Sequence, residues 1–166
     1  MDINPLAIRL TRLLVSLPSV DVIEEAFEKV ASSVKEKILE SYIMTRKEPA
    51  THYLWRGDVM EMVWLMDREK KRRIELPPNE HDLALSRHFA AYRPQRLREP
   101  ILFTNSRINL SPSLTLKDIF TGRALRNIEL LLAAIDHLPQ CMQEPMRLSL
   151  TAAAGQMSKM VFAITD

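Results

Sequence analysis

Two clusters of cationic side chains are the first candidates for chemistry in this chain. Lys70, Lys71, Arg72 and Arg73 form an unbroken basic run close to Trp64, and basic residues beside an aromatic ring suit contact with phosphates and bases. Arg93, Arg96, Arg98 and Arg107 are spread along a Pro-rich stretch from Tyr92 to Ser113, where irregular backbone lets long side chains reach an anion or a nucleic acid. The same residues also read as a solvated hairpin tip and a solvated loop. His52, His81, His88 and His137 are scattered, with no pair at the i, i+4 spacing of a helical zinc site. His81 and His88 share a helix with Asp82 and are expected on an exposed polar face rather than around a metal. Cys141, the one cysteine, rules out an internal disulfide and a multi-Cys zinc site, and is expected to be a buried bystander thiol. No serine pairs with a base at any recognisable spacing. The three glycines, Gly57, Gly122 and Gly155, each stand alone, so the chain carries no glycine-rich phosphate cradle.

These residues have to be held by a chain of 166 residues, enough for one domain with a modest core. An apolar fraction of 46% and a charged fraction of 27% belong to an ordinary globular protein. With 23 Lys and Arg against 21 Asp and Glu, overall charge neither demands nor excludes nucleic acid. No apolar run reaches the roughly 18 residues of a membrane span, and no basic flank precedes an apolar signal core. A cytoplasmic protein that touches no membrane is expected.

Hydrophobic spacing predicts a mainly α fold with a small antiparallel β-hairpin, organised as residues 1–44, 45–78, 79–113 and 114–166 of a single domain. Pro5 opens a short helix through Leu6, Ile8, Leu10, Leu13, Leu14 and Leu17 that stops before Pro18. A long helix follows from Ser19, with Val20, Ile23, Ala26, Phe27, Val30, Val34, Ile38 and Tyr42 recurring at helical intervals. Aromatic and β-branched residues between Ala50 and Leu76, with a turn at Arg56-Gly57-Asp58, predict a hairpin, and Arg72 to Leu76 fits a further short strand. One helix across 58–72 fits the same residues. Asn79 to Phe89 predicts a short helix, followed by the long Pro- and Arg-rich connection. Thr115 with Asp118 predicts a capped turn, and Thr121 caps a helix whose core face is Ala124, Leu125, Ile128, Leu131, Leu132 and Ile135. Pro139 closes that helix, and Pro145 to Ile164 predicts a last one, burying Met146, Leu150, Ala153, Met157, Met160, Val161 and Ile164.

The stretch NSRINLSPSLTLKDIFTGRALRNIELLLAAIDHLP and the following LSLTAAAGQMSKMV carry more than helix periodicity. Phe120-Thr121-Gly122-Arg123-Ala124-Leu125 and Ser158-Lys159-Met160 resemble the Phe-Thr-x-Arg-x-Leu helix start and the Ser-x-Met helix of the large S-adenosylmethionine-dependent DNA amino-methyltransferases. ATHYLWRGDV, residues 50–59, resembles the Tyr-Leu-Trp strand found earlier in such enzymes, and LPPNEHDL resembles the link after it. Asp2-Ile3-Asn4-Pro5-Leu6-Ala7 resembles the strand end and helix that follow the cofactor loop.

The resemblance implies that Asp2 holds the ribose diol of S-adenosylmethionine, that Ile3 lies on the adenine, and that Thr121 and Arg123 sit near the cofactor or the DNA backbone. A carboxylate suits a vicinal diol because it accepts two hydrogen bonds. The family's glycine-rich loop, its Asp-Pro-Pro-Tyr type catalytic motif and its zinc-ribbon cysteines are absent from these 166 residues. The expectation is a fragment or separately encoded part of an adenine-N6 or cytosine-N4 methyltransferase, without catalytic residues of its own and completed by other methyltransferase segments or a partner chain. The alternative is a noncatalytic helical module that binds DNA or a protein. Apolar helix faces left without neighbours would favour homo-oligomers.

Overall fold

The computed structural model describes residues 4–42, 49–57, 59–97 and 114–159. Among them are six α-helices and a three-stranded antiparallel sheet, the expected mainly α fold with a small β element. Helix α1, Pro5–Val15, begins as its sequence dictates: Pro5 occupies the first turn and the Asn4 side chain accepts the Leu6 N–H at 3.0 Å. Its apolar stripe finds no cover among the described residues, since Leu14 and Val15 are 70% and 84% exposed. Helix α2, Val20–Glu40, turns Ala26, Val30 and Val34 inward at four-residue spacing, while Phe27, expected on that face, is exposed.

Residues 52–76 build a meander. Strands β1, His52–Arg56, β2, Val59–Asp67, and β3, Arg72–Leu76, pair in sequence order, with a register shift between Leu54 and Trp55. The strand reading wins over the helical one at 59–67 because Val63 and Leu65, two residues apart, go to the same buried face. Ala50 and Met60 complete that small core, with Tyr53, Trp55, Ile74 and Leu76 packed against it. Gly57, at φ +59°, makes the first turn in a conformation that favours glycine.

Helix α3, Glu80–Ala90, starts on a reciprocal cap: Asn79 Oδ1 accepts the Asp82 N–H at 2.9 Å and Asp82 Oδ2 accepts the Asn79 N–H at 3.0 Å. Thr115 and Asp118 cap the single turn of α4, Leu116–Ile119, in the same way. Thr121 Oγ1 accepts the Ala124 N–H at 3.2 Å to start α5, Gly122–Asp136. Helix α6, Gln140–Met157, begins five residues before the expected Pro145, with Pro139 at its N-cap and Pro145 inside it. That earlier start carries Met142 as well as Met146 into the main core, with Ala26, Val30, Val34, Ile135 and Leu138. Cys141, one residue from Met142, faces outward on that added turn, and Ala153 is exposed as well; neither is buried as the sequence implied. The expected buried positions Met160, Val161 and Ile164 lie outside the described residues. No helix among the described residues is long and apolar enough to cross a membrane.

Candidate functional site

Helix α5 positions the site because it buries polar residues on two faces, Arg123 and Asn127 toward the end of α2 and the sheet, and Glu129 toward the segment after α3. Arg123, Asn127 and Glu129 are all buried, 5%, 5% and 6% exposed. Asn127 Nδ2 donates to Ser41 Oγ at 3.0 Å, and Ser41 Oγ donates to the Ile38 carbonyl at 2.6 Å, tying α5 to the end of α2. Tyr42 follows, its carbonyl accepting the Ala50 N–H at 2.9 Å, which links α2 to the sheet.

Arg123 lies inside an aromatic box. Its guanidinium carbon is 4.3 Å from the Tyr53 ring centre, 5.1 Å from Tyr42 and 5.6 Å from Phe89. Cation–π contacts of this buried kind contribute about 2 kcal/mol. Three buried polar atoms around it have no hydrogen-bond partner: Arg123 Nη1, Tyr53 Oη and Asp82 Oδ1. Burial pushes the Tyr53 hydroxyl above its ordinary range, against the opposing pull of the Arg123 charge.

Gly122 is fixed by a close approach. A Cβ there would stand 1.9 Å from the Phe89 carbonyl oxygen and 3.3 Å from Tyr92 Cβ, so only glycine lets α5 start against the end of α3. In the sequence Phe-Thr-Gly-Arg, threonine therefore caps, glycine permits contact and arginine fills the box.

Next to this junction the chain after α3 is held by one carboxylate. Glu129 accepts the Arg96 N–H, the Tyr92 hydroxyl at 2.5 Å, the Gln95 N–H at 3.1 Å and the Leu97 N–H at 2.9 Å. Burial works to raise the Glu129 pKa, but these donors together hold it below the usual carboxylate range. Burial and the bond to Glu129 push Tyr92 up to about 12. Asp136 takes Arg147 at 2.5 Å and Arg96 at 2.7 Å, and the two guanidinium groups lower its pKa.

A cleft of about 490 Å³ opens between β1, the end of α3, α4, the start of α5 and the exit of α6. Tyr42, Tyr53, Trp55, Phe89, Tyr92 and Phe120 supply aromatic wall. Arg87, Arg93, Lys117, Arg123 and Lys159 supply cations, and no Asp or Glu lines the cleft among the described residues. The Lys159 N–H donates to the Ile119 carbonyl at 2.8 Å, pinning the α6 exit onto α4. Such a lining attracts anions and offers flat apolar faces for stacking.

Of the residues singled out from sequence, Thr121, Arg123 and Arg93 meet in this cleft. Arg96 is spent on Asp136 instead. Lys70 to Arg73 lie at the β2–β3 turn, away from the cleft lining; Arg73 pairs with Glu75 at 2.6 Å and stacks 4.0 Å over Trp64. Asp2, Ile3, Arg98 and Arg107 lie outside the described residues. Arg87, Lys117 and Lys159 were not foreseen. Arg87 is on α3, Lys117 on α4 and Lys159 beyond α6; Lys117 and Lys159 fall in stretches that carry the resemblance, Lys159 as part of the Ser-x-Met motif, but neither stood out there as a cation. No group of three His, Cys, Asp or Glu side chains among the described residues is arranged to hold a metal. No protein-family model, curated protein or solved structure matches the chain.

Proposed function

We propose that this chain is the nucleic-acid-binding part of an S-adenosylmethionine-dependent DNA amino-methyltransferase, acting with catalytic and cofactor-binding segments other than its own, in the cytoplasm. One observation carries the reading. Three of the five stretches that resemble that family, distant in sequence, line one cleft: Tyr53 and Trp55 from the Tyr-Leu-Trp strand, Phe120 to Leu125 from the helix start, and Ser158 and Lys159 from the Ser-x-Met segment, while LPPNEHDL and Asn4 to Ala7 lie outside its lining. Their convergence on a carboxylate-free surface rich in Arg, Lys and aromatic rings is what a DNA contact requires.

In this reading Thr121 and Arg123 build the DNA side of the site rather than a cofactor cradle. S-adenosylmethionine carries an ammonium, a sulfonium and a ribose diol, and the described cleft lining offers none of them a carboxylate. Calorimetric titration of the isolated chain with S-adenosylmethionine is expected to give weak binding or none. Tight binding would overturn this division of labour.

DNA binding itself is tested by fluorescence anisotropy across a salt series. With Arg87, Arg93, Lys117 and Lys159 each meeting one phosphate, the logarithm of the affinity falls against the logarithm of salt with a slope of about −3 to −4. No binding at about 50 mM salt would sink the proposal. The methyltransferase assignment is checked separately by the genomic DNA on either side of the coding segment. A glycine-rich loop upstream and an Asp-Pro-Pro-aromatic motif downstream are expected; their absence removes that assignment and leaves the DNA cleft standing.

A further inference from the structure

We infer that the cleft takes a single-stranded stretch of nucleic acid, with bases stacked on its aromatic wall and successive phosphates on its cationic rim; this rests on the nucleic-acid reading above. The volume is the first argument. About 490 Å³ holds one or two nucleotides but not a duplex, whose paired bases present only their edges in the grooves. The second is the kind of wall. Trp55, Tyr92 and Phe120 line the cleft and are each half-buried, so part of each ring stays accessible to an unpaired base, whereas Tyr53 is taken up by Arg123, 4.3 Å from its ring centre.

The third argument is where the cations stand. Arg87 comes from α3, Arg93 from the segment after it, Lys117 from α4 and Lys159 from beyond α6, with the Lys159 ammonium against the Lys117 carbonyl at 3.3 Å, so the charges are supplied by two parts of the lining. A single phosphate engages only some of them, whereas a strand passing over the cleft engages them in turn. The buried Arg123 guanidinium deepens the positive potential beneath. Stacking and phosphate contacts of this kind read no base edge, so binding through them is tolerant of sequence.

The test uses the full chain with three probes: a labelled oligothymidylate of about ten nucleotides, a duplex of the same length, and thymidine monophosphate as competitor. The oligothymidylate is expected to bind at least about tenfold more tightly than the duplex, and the mononucleotide to compete poorly. The chain has two tryptophans, so Trp64→Phe leaves Trp55 as the sole reporter, and strand binding should quench it. Arg93→Ala and Lys159→Ala, both at exposed positions, should each lower the salt slope for the single strand by about 0.7. Trp55→Leu should weaken strand binding at least about fivefold, the low end of one base–aromatic stack.

Duplex binding equal to or tighter than the single strand would overturn the inference and leave the proposed function intact. So would a mononucleotide that competes as well as the strand, or strand binding that leaves Trp55 unquenched. Failure of every nucleic-acid probe overturns both.

Discussion

Glu129→Gln is the most informative single substitution, because one buried carboxylate organises the segment that carries Arg93 into the cleft. Glu129 receives four donors, two on each oxygen: Arg96 and Leu97 N–H on Oε1, Tyr92 hydroxyl and Gln95 N–H on Oε2. A glutamine keeps one oxygen for the first pair and turns its NH₂ toward the second. Tyr92 Oη can then accept, but the Gln95 N–H is left facing a donor, at a cost of about 1–3 kcal/mol. The two remaining bonds lose their charge assistance, about 1 kcal/mol each, offset in part by no longer burying a charge. The sum is a destabilisation of about 3 kcal/mol, or about 6–12 °C in melting temperature for a chain of this size.

The pH dependence supplies the sign check for the same substitution. Glu129 has a folded pKa below its ordinary value of 4.5, so its contribution is present above that value and disappears as pH falls through the lower folded one. Calorimetric melts of wild type and E129Q should therefore differ most near neutrality and converge in acid. A melting temperature within about 1 °C of wild type at neutral pH, or a gap that persists undiminished into acid, refutes the reasoning.

The other predictions concern the same junction and its surroundings. Gly122→Ala forces a methyl group into the Phe89 carbonyl and should destabilise by about 3 kcal/mol or more in urea titrations. Arg123→Lys keeps the charge but loses the planar face against Tyr53, and should lose about 1–2 kcal/mol by the same measurement. Tyr92, with a folded value raised from 10.0 to about 12, contributes stability below the lower figure that is lost as pH climbs toward the upper; Tyr92→Phe should remove that alkaline decline in pH-dependent melts. Leu14→Ser with Val15→Ser, at 70% and 84% exposure, should change stability by under about 0.5 kcal/mol; a larger loss, with a lighter species in sedimentation, would mean that α1 is covered by a second copy of the chain.

What was legible in the sequence was whatever repeats locally. Ala26, Val30 and Val34 announce α2, and Asn79, Thr115 and Thr121 announce three helix starts through their side-chain oxygens. The buried polar residues of α5 were not legible, because they add nothing to a hydrophobic period and their partners lie far along the chain. Glu129 meets residues 32–37 positions away, and Asn127 meets Ser41 86 positions away. The start of α6 was misjudged for a local reason that tertiary packing overrides. Proline is favoured in a first turn, so Pro145 looked like an opening, yet the core also demands Met142, and the helix accepts an internal proline to deliver it. Cys141 then falls on the outer side, next to the buried Met142 but not with it.

The candidate site shows the same division, with a consequence for how function has to be separated from folding. Thr121, Gly122 and Arg123 each have a sufficient structural role: a cap, a close approach and the centre of an aromatic box. Any substitution among them disturbs the start of α5 and with it the cleft, so lost binding in such a variant would not distinguish a ligand contact from a damaged scaffold. The rim behaves differently. Arg93 and Lys159 are exposed and contribute charge to the opening, and the core stands without their side chains, whose bonds within the chain are long ones to the Ala91, Tyr92 and Lys117 carbonyls at 3.3–3.5 Å. A variant there that melts like wild type but flattens the salt dependence reports the ligand alone. The Phe-Thr-Gly-Arg helix start thus marks the part of the cleft that must fold, and the exposed rim cations mark the part that must bind.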